Sequence, residues 1–321
     1  MTPKIELHVH LEGTIRPATL LEIARRNDQP LPADTVEGVA KLYEFTDFAH
    51  FIDVWILTTS VLRTGEDFRR IALEYAEEAA SFGAVYLEGI FSPGQYVSFY
   101  GVSFDEIFAG FADAAAEAYE RHGVIMRYTP DLYRGMDPAV AEEQAHASVR
   151  YRDRGVVGLG MGGLESRPLE PYLRSFAIAR DGGLGIVPHA GEASGAESVR
   201  EILALDPDRI RHGIRSIEDP SVLAEILERG LVLDVCPTSN VRTGVVPSLA
   251  EHPLPKLRAA GVPCTVNTDD PAMFGTNLAR EHEAAAELGL TSEEAYAAGL
   301  AGALCDDATR AHLASLAPLT P

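Results

Sequence analysis

Cysteine is scarce in this chain: Cys236, Cys264 and Cys305 are its only three in 321 residues, too few and too odd in number for a disulfide framework. Positive charge is short as well. There are 27 Lys+Arg against 48 Asp+Glu, a formal net charge of −21. Such a surface has the wrong sign for a phosphate backbone or an anionic lipid surface, so neither nucleic acid nor membrane is expected as a partner. Long apolar runs are missing too. The most apolar window, Phe51 to Leu62, is interrupted by Asp53 and is too short to span a bilayer. No basic stretch followed by an apolar one opens the chain, so we expect no signal peptide and a cytoplasmic location. A homo-oligomer stays open on these features.

What is present is enough for a large core, with 46% hydrophobic residues. Eight short β-branched runs end in polar residues: 5–10, 84–89, 124–128, 156–161, 185–189, 209–212, 231–236 and 262–267. Between them lie Ala/Glu/Arg/Leu segments of helical spacing, for example 104–122, 139–152 and 221–229, with glycine stops at Gly123, Gly155, Gly230 and Gly261. Strand–helix alternation predicts a parallel sheet, and eight units predict an α/β fold of the (β/α)₈ TIM-barrel type. The spacing is uneven once. Residues 13–82, after the first strand, read as several helices (47–63 and 66–81 among them), predicting a helical insertion over the active face. One domain over residues 1–321 is expected, with a Pro-rich tail at 317–321.

A doubly wound open sheet is the plainer alternative. It usually carries a Gly-rich dinucleotide turn after its first strand, where this chain has His8-Val9-His10-Leu11-Glu12-Gly13. The run Gly158-Leu159-Gly160-Met161-Gly162-Gly163 opens no helix at the right place, so phosphate cradling is a weak reading of it.

The ten histidines separate by position. His50, His122, His146, His252, His282 and His312 fall in helices or loops and read as solvated or locally bonded. His8, His10, His189 and His212 close strands, where barrel enzymes gather their chemistry. Two residues apart, His8 and His10 project to one face of a strand. Two inward imidazoles are costly to bury unless something shares their lone pairs, and Zn²⁺ does so. His189 and Asp269 close strands in the same series, which makes a three-His, one-Asp set of a type suited to catalytic zinc. Asp269-Asp270-Pro271 also reads as a helix N-cap, and that alternative stays open. Glu192 lies on the loop just past His189.

Other chemistries find no support. A lysine-carbamate bridge between two metals needs a lysine at the fourth strand, but Lys4, Lys41 and Lys256 are elsewhere; one metal is expected. Pro263-Cys264 has no second Cys two residues on, so the zinc-deaminase P-C-x-x-C signature is absent. No G-x-S-x-G turn is present either.

The ordered motifs His8-Val9-His10-Leu11-Glu12-Gly13, His189-Ala190-Gly191-Glu192, Arg211-His212-Gly213, Cys236-Pro237-Thr238-Ser239-Asn240 and Asn267-Thr268-Asp269-Asp270-Pro271 resemble the adenosine/adenine deaminase family of the metal-dependent amidohydrolases along nearly the whole chain. The resemblance implies one Zn²⁺ per chain held by His8, His10, His189 and Asp269. It implies Glu192 as proton donor to purine N1, and His212 as the group that orients or deprotonates the attacking water. Asp270 assists and contacts the purine, and the Gly163 backbone meets N3. The chemistry agrees: zinc lowers the pKa of water to about 7, and an acid that protonates N1 must have a raised pKa.

Two positions bear on substrate. Adenosine-specific relatives usually carry Asp where Glu12 stands, on the ribose 5′ side. Gly163-Leu164-Glu165 is nearer the nucleoside pattern than the Ser-Ser of free-adenine relatives. The expected partner is therefore a small purine, adenosine or a 5′-modified adenosine such as aminodeoxyfutalosine, with adenine as the alternative. Simpler readings stand beside these: Glu12 as a cap, Leu164 as packing, and Phe51, Trp55 and Leu62 as a core stripe on one helical face.

Overall fold

The computed structural model describes residues 2–317; residues 318–321 of the Pro-rich tail lie outside them. Among the described residues nine strands pair in two runs, β1-β2-β3 and β4 to β9: β1 Lys4–His10, β2 Ala84–Ile90, β3 Ile125–Tyr128, β4 Asp131–Tyr133, β5 Gly158–Gly162, β6 Gly185–Ala190, β7 Ile210–His212, β8 Leu233–Val235 and β9 Cys264–Val266. Every pairing between neighbours is parallel. The ring closes where Val9 bridges Asp269, with His10 N–H donating to Asp269 O (2.8 Å) and Asp269 N–H to His8 O (3.1 Å). The (β/α)₈ barrel is thus present, and helices follow the strands around it.

The ninth strand has a local cause. β3 and β4 are two halves of one barrel stave, interrupted at Thr129-Pro130. Thr129 N–H and Asp131 N–H still donate to Gly89 O (3.0 Å) and Phe91 O (2.8 Å) of the β2 side. Pro130 has no N–H to offer β5 and only accepts, from Gly160 N–H at 2.9 Å. The sequence reading stopped this stave at Tyr128 and left 131–133 unassigned. The glycine-rich run is β5 itself. Gly160 has no side chain because a Cβ there would overlap the Asp131 carboxylate and the Arg211 guanidinium.

Between β1 and β2 lie helices α1 Pro17–Arg26, α2 Val36–Ala40, α3 Phe48–Thr59 and α4 Gly65–Ser81. Asp47 caps α3 by accepting from His50 N–H (3.0 Å), and Thr64 with Asp67 forms a capping box at α4. α3 ends four residues earlier than its apolar pattern predicted, so Leu62 is buried outside the helix that carries Phe51 and Trp55. Phe51 packs on Phe274, just past the last strand, at a centroid distance of 5.0 Å. Tyr75 of α4 reaches into the barrel, donating to Glu6 at 2.5 Å.

The lower barrel interior is polar. Arg209 is fully buried between Glu88 (2.7 Å) and Asp234 (2.6 Å), and it donates to the carbonyls of Leu7 and Gly302. One step higher, Arg211 pairs with Asp131 and donates to Thr129 Oγ1 at 2.6 Å. No helix among the described residues is long and apolar enough to cross a membrane.

Candidate active site

At the C-terminal rim the strand alternation is broken on purpose-built bends. Successive strand residues face opposite sides, yet Arg211 and His212 both turn into the barrel. His212 has φ +59° and Asp269 φ +63°. Left-handed backbone at non-glycine residues costs about 1–3 kcal/mol each and is held only by surrounding structure. It swings both side chains into the mouth.

There His8, His10, His189 and Asp269 converge. His189 Nε2 lies 3.1 Å from His8 Nε2 and 3.2 Å from His10 Nε2. Asp269 Oδ1 is 3.4 Å from the Nε2 atoms of both His8 and His10. Four donors with such spacings suit a common centre at about 2 Å from each, the distance of Zn–N and Zn–O bonds. The second ring nitrogen of His189 is engaged, Nδ1 to Met161 O at 2.9 Å, which leaves its Nε2 lone pair free to bind. Ser239 Oγ donates to Asp269 Oδ2 at 2.6 Å, holding the carboxylate in place. The donor set fits a divalent metal.

The carboxyl groups around this cluster are sorted by charge. Burial pushes Asp269 up, but His8, His212 and His10 together outweigh it and hold the carboxyl well below its usual range, so it stays anionic. Burial, then the charges of Asp269 and Glu165, push Glu192 well above the usual range. Burial and Asp269 do the same to Asp270, and burial raises Glu12 to about 8. Burial lowers His10 to about 4 and His212 to about 3. One ionised acid beside protonated ones is the division that acid–base catalysis needs.

Glu192, His212 and Asp270 gather beside the donor set. Glu192 Oε2 is 3.6 Å from His212 Nε2, which is 3.8 Å from Asp269 Oδ2. Asp270 is buried, and its side chain does not cap the helix Pro271–Phe274 that follows; its Oδ1 has no partner. Glu12 is fully buried in the turn after β1. Its Oε1 accepts from Ser92 N–H at 2.7 Å and its Oε2 has no partner, so it is not a helix cap. Gly163 follows β5 at φ +87°, a conformation that suits glycine and leaves its backbone bare at the rim.

Known proteins resemble this chain throughout. The family profile described as adenosine deaminase matches residues 3–317. The chain belongs to the adenosine deaminase family. Members of this family are hydrolases acting on purine C–N bonds, and this chain is an aminohydrolase of that kind. The aminodeoxyfutalosine deaminase of Acidothermus cellulolyticus is 54% identical over 327 aligned positions, covering 99% of this chain and 92% of that protein. The adenine deaminase of Chlorobium luteolum is 38% identical, over 89% of this chain and 84% of that one. Among solved structures, the adenine deaminase of Arthrobacter aurescens superimposes with a TM-score of 0.92 at 32% identity, over 99% of this chain and 98% of that one. An amidohydrolase of Burkholderia ambifaria with bound Zn gives 0.88 at 28% identity, over 98% and 89%.

Four residues of this family member escaped the sequence reading or carried no role in it. Asp131 places Oδ2 at 3.3 Å from His189 Nδ1. Glu165 accepts from three successive backbone N–H groups, Gly191 (2.9 Å), Glu192 (3.0 Å) and Ala193 (3.0 Å), and so pins the turn that presents Glu192. Asn240 reaches His212, and His252, read as a solvated or locally bonded loop residue, is buried behind it. The Gly-x-Glu and Ser-Asn pairs were the available signals for Glu165 and Asn240; nothing local marked His252.

Proposed function

We propose that this chain hydrolytically deaminates a 6-aminopurine nucleoside, adenosine or a 5′-modified adenosine such as aminodeoxyfutalosine, to the 6-oxopurine and ammonia. The observation that carries the reading is Glu192, pushed towards its neutral form by burial and by Asp269, beside a three-His, one-Asp donor set. His8, His10, His189 and Asp269 would hold one Zn²⁺. Bound there, it would supply an acidified water as nucleophile near neutral pH.

The remaining work falls to side chains. Protonated Glu192 donates to purine N1, so electron density moves out of the ring as C6 is attacked. His212 orients or deprotonates the attacking water, and Asp270 assists it and contacts the purine. The bare backbone at Gly163 meets N3. Glu12, with one oxygen unpartnered and a proton to give, reads a hydroxyl on the sugar side. Ammonia leaves from the tetrahedral carbon. The insertion 13–82, part of one domain over 1–321, covers this face; contacts of Phe51 with Phe274 and of Trp55 beside Asp270 support that role. The partner is a small purine in the cytoplasm, with no nucleic acid or membrane, and self-association stays open.

The relative at 54% identity supports the 5′-modified nucleoside. Comparing kcat/KM on adenine, adenosine, methylthioadenosine and aminodeoxyfutalosine tests it. We expect the nucleosides to exceed adenine by at least about tenfold, the equivalent of one net hydrogen bond gained to the sugar. A preference for adenine would overturn the substrate assignment in favour of adenine deamination.

A further inference from the structure

A chain of hydrogen bonds runs from the loop after β8 to the catalytic mouth. Leu254 N–H meets His252 Nδ1 at 3.1 Å; His252 Nε2 meets Asn240 Oδ1 at 3.1 Å; Asn240 Nδ2 meets His212 Nδ1 at 3.3 Å. His252 and Asn240 are both buried.

The direction of every bond follows from the first. A backbone N–H only donates, so His252 Nδ1 accepts. A neutral imidazole then carries its proton on Nε2 and gives it to the Asn240 oxygen. With its oxygen accepting, the Asn240 amide must donate from Nδ2, and His212 Nδ1 must accept. The proton of neutral His212 is thereby placed on Nε2, the atom that faces Glu192 Oε2 and Asp269 Oδ2. Burial pushes His252 down to about 4, which keeps it neutral, as the chain requires.

We propose that Asn240 and His252 are positioning residues that set the tautomer of His212, so that it enters the reaction as a hydrogen-bond donor at Nε2 and not as a base. This rests on the deaminase reading and narrows one role within it: of orienting or deprotonating the water, the first is assigned. Neither Asn240 nor His252 touches the reacting atoms.

The test is the long-range proton–nitrogen spectrum of the zinc-loaded enzyme labelled with ¹⁵N-histidine, with His212 and His252 assigned from the resonances lost in His212→Gln and His252→Gln. The wild type should show protonated Nε2 and bare Nδ1 at both residues. In Asn240→Asp the carboxylate can only accept from His212 Nδ1, so the tautomer should switch. Its kcat should fall by up to about 10⁴-fold, the loss seen when a catalytic histidine is held in the wrong tautomer, with KM within about twofold and metal content unchanged. His252→Gln presents an N–H to Asn240 and should keep both the wild-type His212 tautomer and most of kcat, whereas His252→Leu should keep neither. A wild-type His212 protonated at Nδ1, or an unchanged tautomer in both Asn240→Asp and His252→Leu, would overturn the proposal. The spectrum decides this even if no aminopurine is turned over, an outcome that would sink the deaminase reading instead.

Discussion

Buried acids occur at two levels of this barrel, and the protein treats them in opposite ways. In the lower interior, Glu88 accepts from Arg209, from Tyr86 OH (2.9 Å) and from Leu304 N–H (2.6 Å), and Asp234 accepts from Arg209 and from Thr265 Oγ1 (2.8 Å). At the mouth, Glu12 and Asp270 each keep an oxygen without a partner, and neither they nor Glu192 are given an arginine. An unsatisfied buried polar atom costs about 1–3 kcal/mol. Where Glu12 and Asp270 accept that cost, beside left-handed residues that add their own, the rim reads as the working surface and the arginine-paired Glu88 and Asp234 below as scaffold.

Exchanging the treatment of one acid at each level breaks the comparison most strongly. Glu192→Gln keeps the shape and removes the acidic proton, so kcat should fall roughly 10²- to 10⁴-fold while bound zinc and the unfolding midpoint hold. Wild-type turnover in that variant would show that another group protonates the purine. Arg209→Met strands two buried carboxylates and should lower unfolding free energy by about 3–5 kcal/mol in a denaturant titration. Its kcat/KM per folded molecule should stay near wild type; a selective loss of turnover at unchanged stability would erase the distinction between the levels.

A smaller effect sharpens the same contrast. Glu165 lies between the two levels in character: its oxygens are saturated, yet what they saturate is the turn carrying Glu192. Glu165→Gln turns an amide donor against one of three N–H groups and should cost about tenfold in kcat. It also removes one of the charges that raise Glu192. Glu192 works while protonated, so lowering its pKa moves the alkaline limb of the kcat/KM profile to lower pH. An unmoved limb would mean that Glu165 acts on the backbone alone.

The candidate metal donors were legible because their places in the sequence follow strand ends and strand period. His8 and His10 share a strand face by period, and His189 and Asp269 end runs of β-branched residues. The barrel was legible for the same reason, since each strand and its helix form a contiguous pattern. What was hidden depends on partners distant in the chain or on backbone that departs from its period. Arg211 finds Asp131 across 80 positions. His212 and Asp269 are named from their strand ends, but the left-handed bends that turn both into the mouth carry no sequence signal. His252 looks like any loop histidine until the fold buries it against Asn240. The end of α3 was misplaced because the apolar pattern continues through Leu62 after the helix has stopped. β4 was missed because Pro130 punctuates the stave.

Zinc content and deaminase turnover, measured together as metal is removed and restored, test the central claim most directly. The account predicts activity rising in proportion to bound metal and saturating at about one Zn²⁺ per chain, the capacity of a single four-donor site. Full turnover by metal-free protein would contradict it.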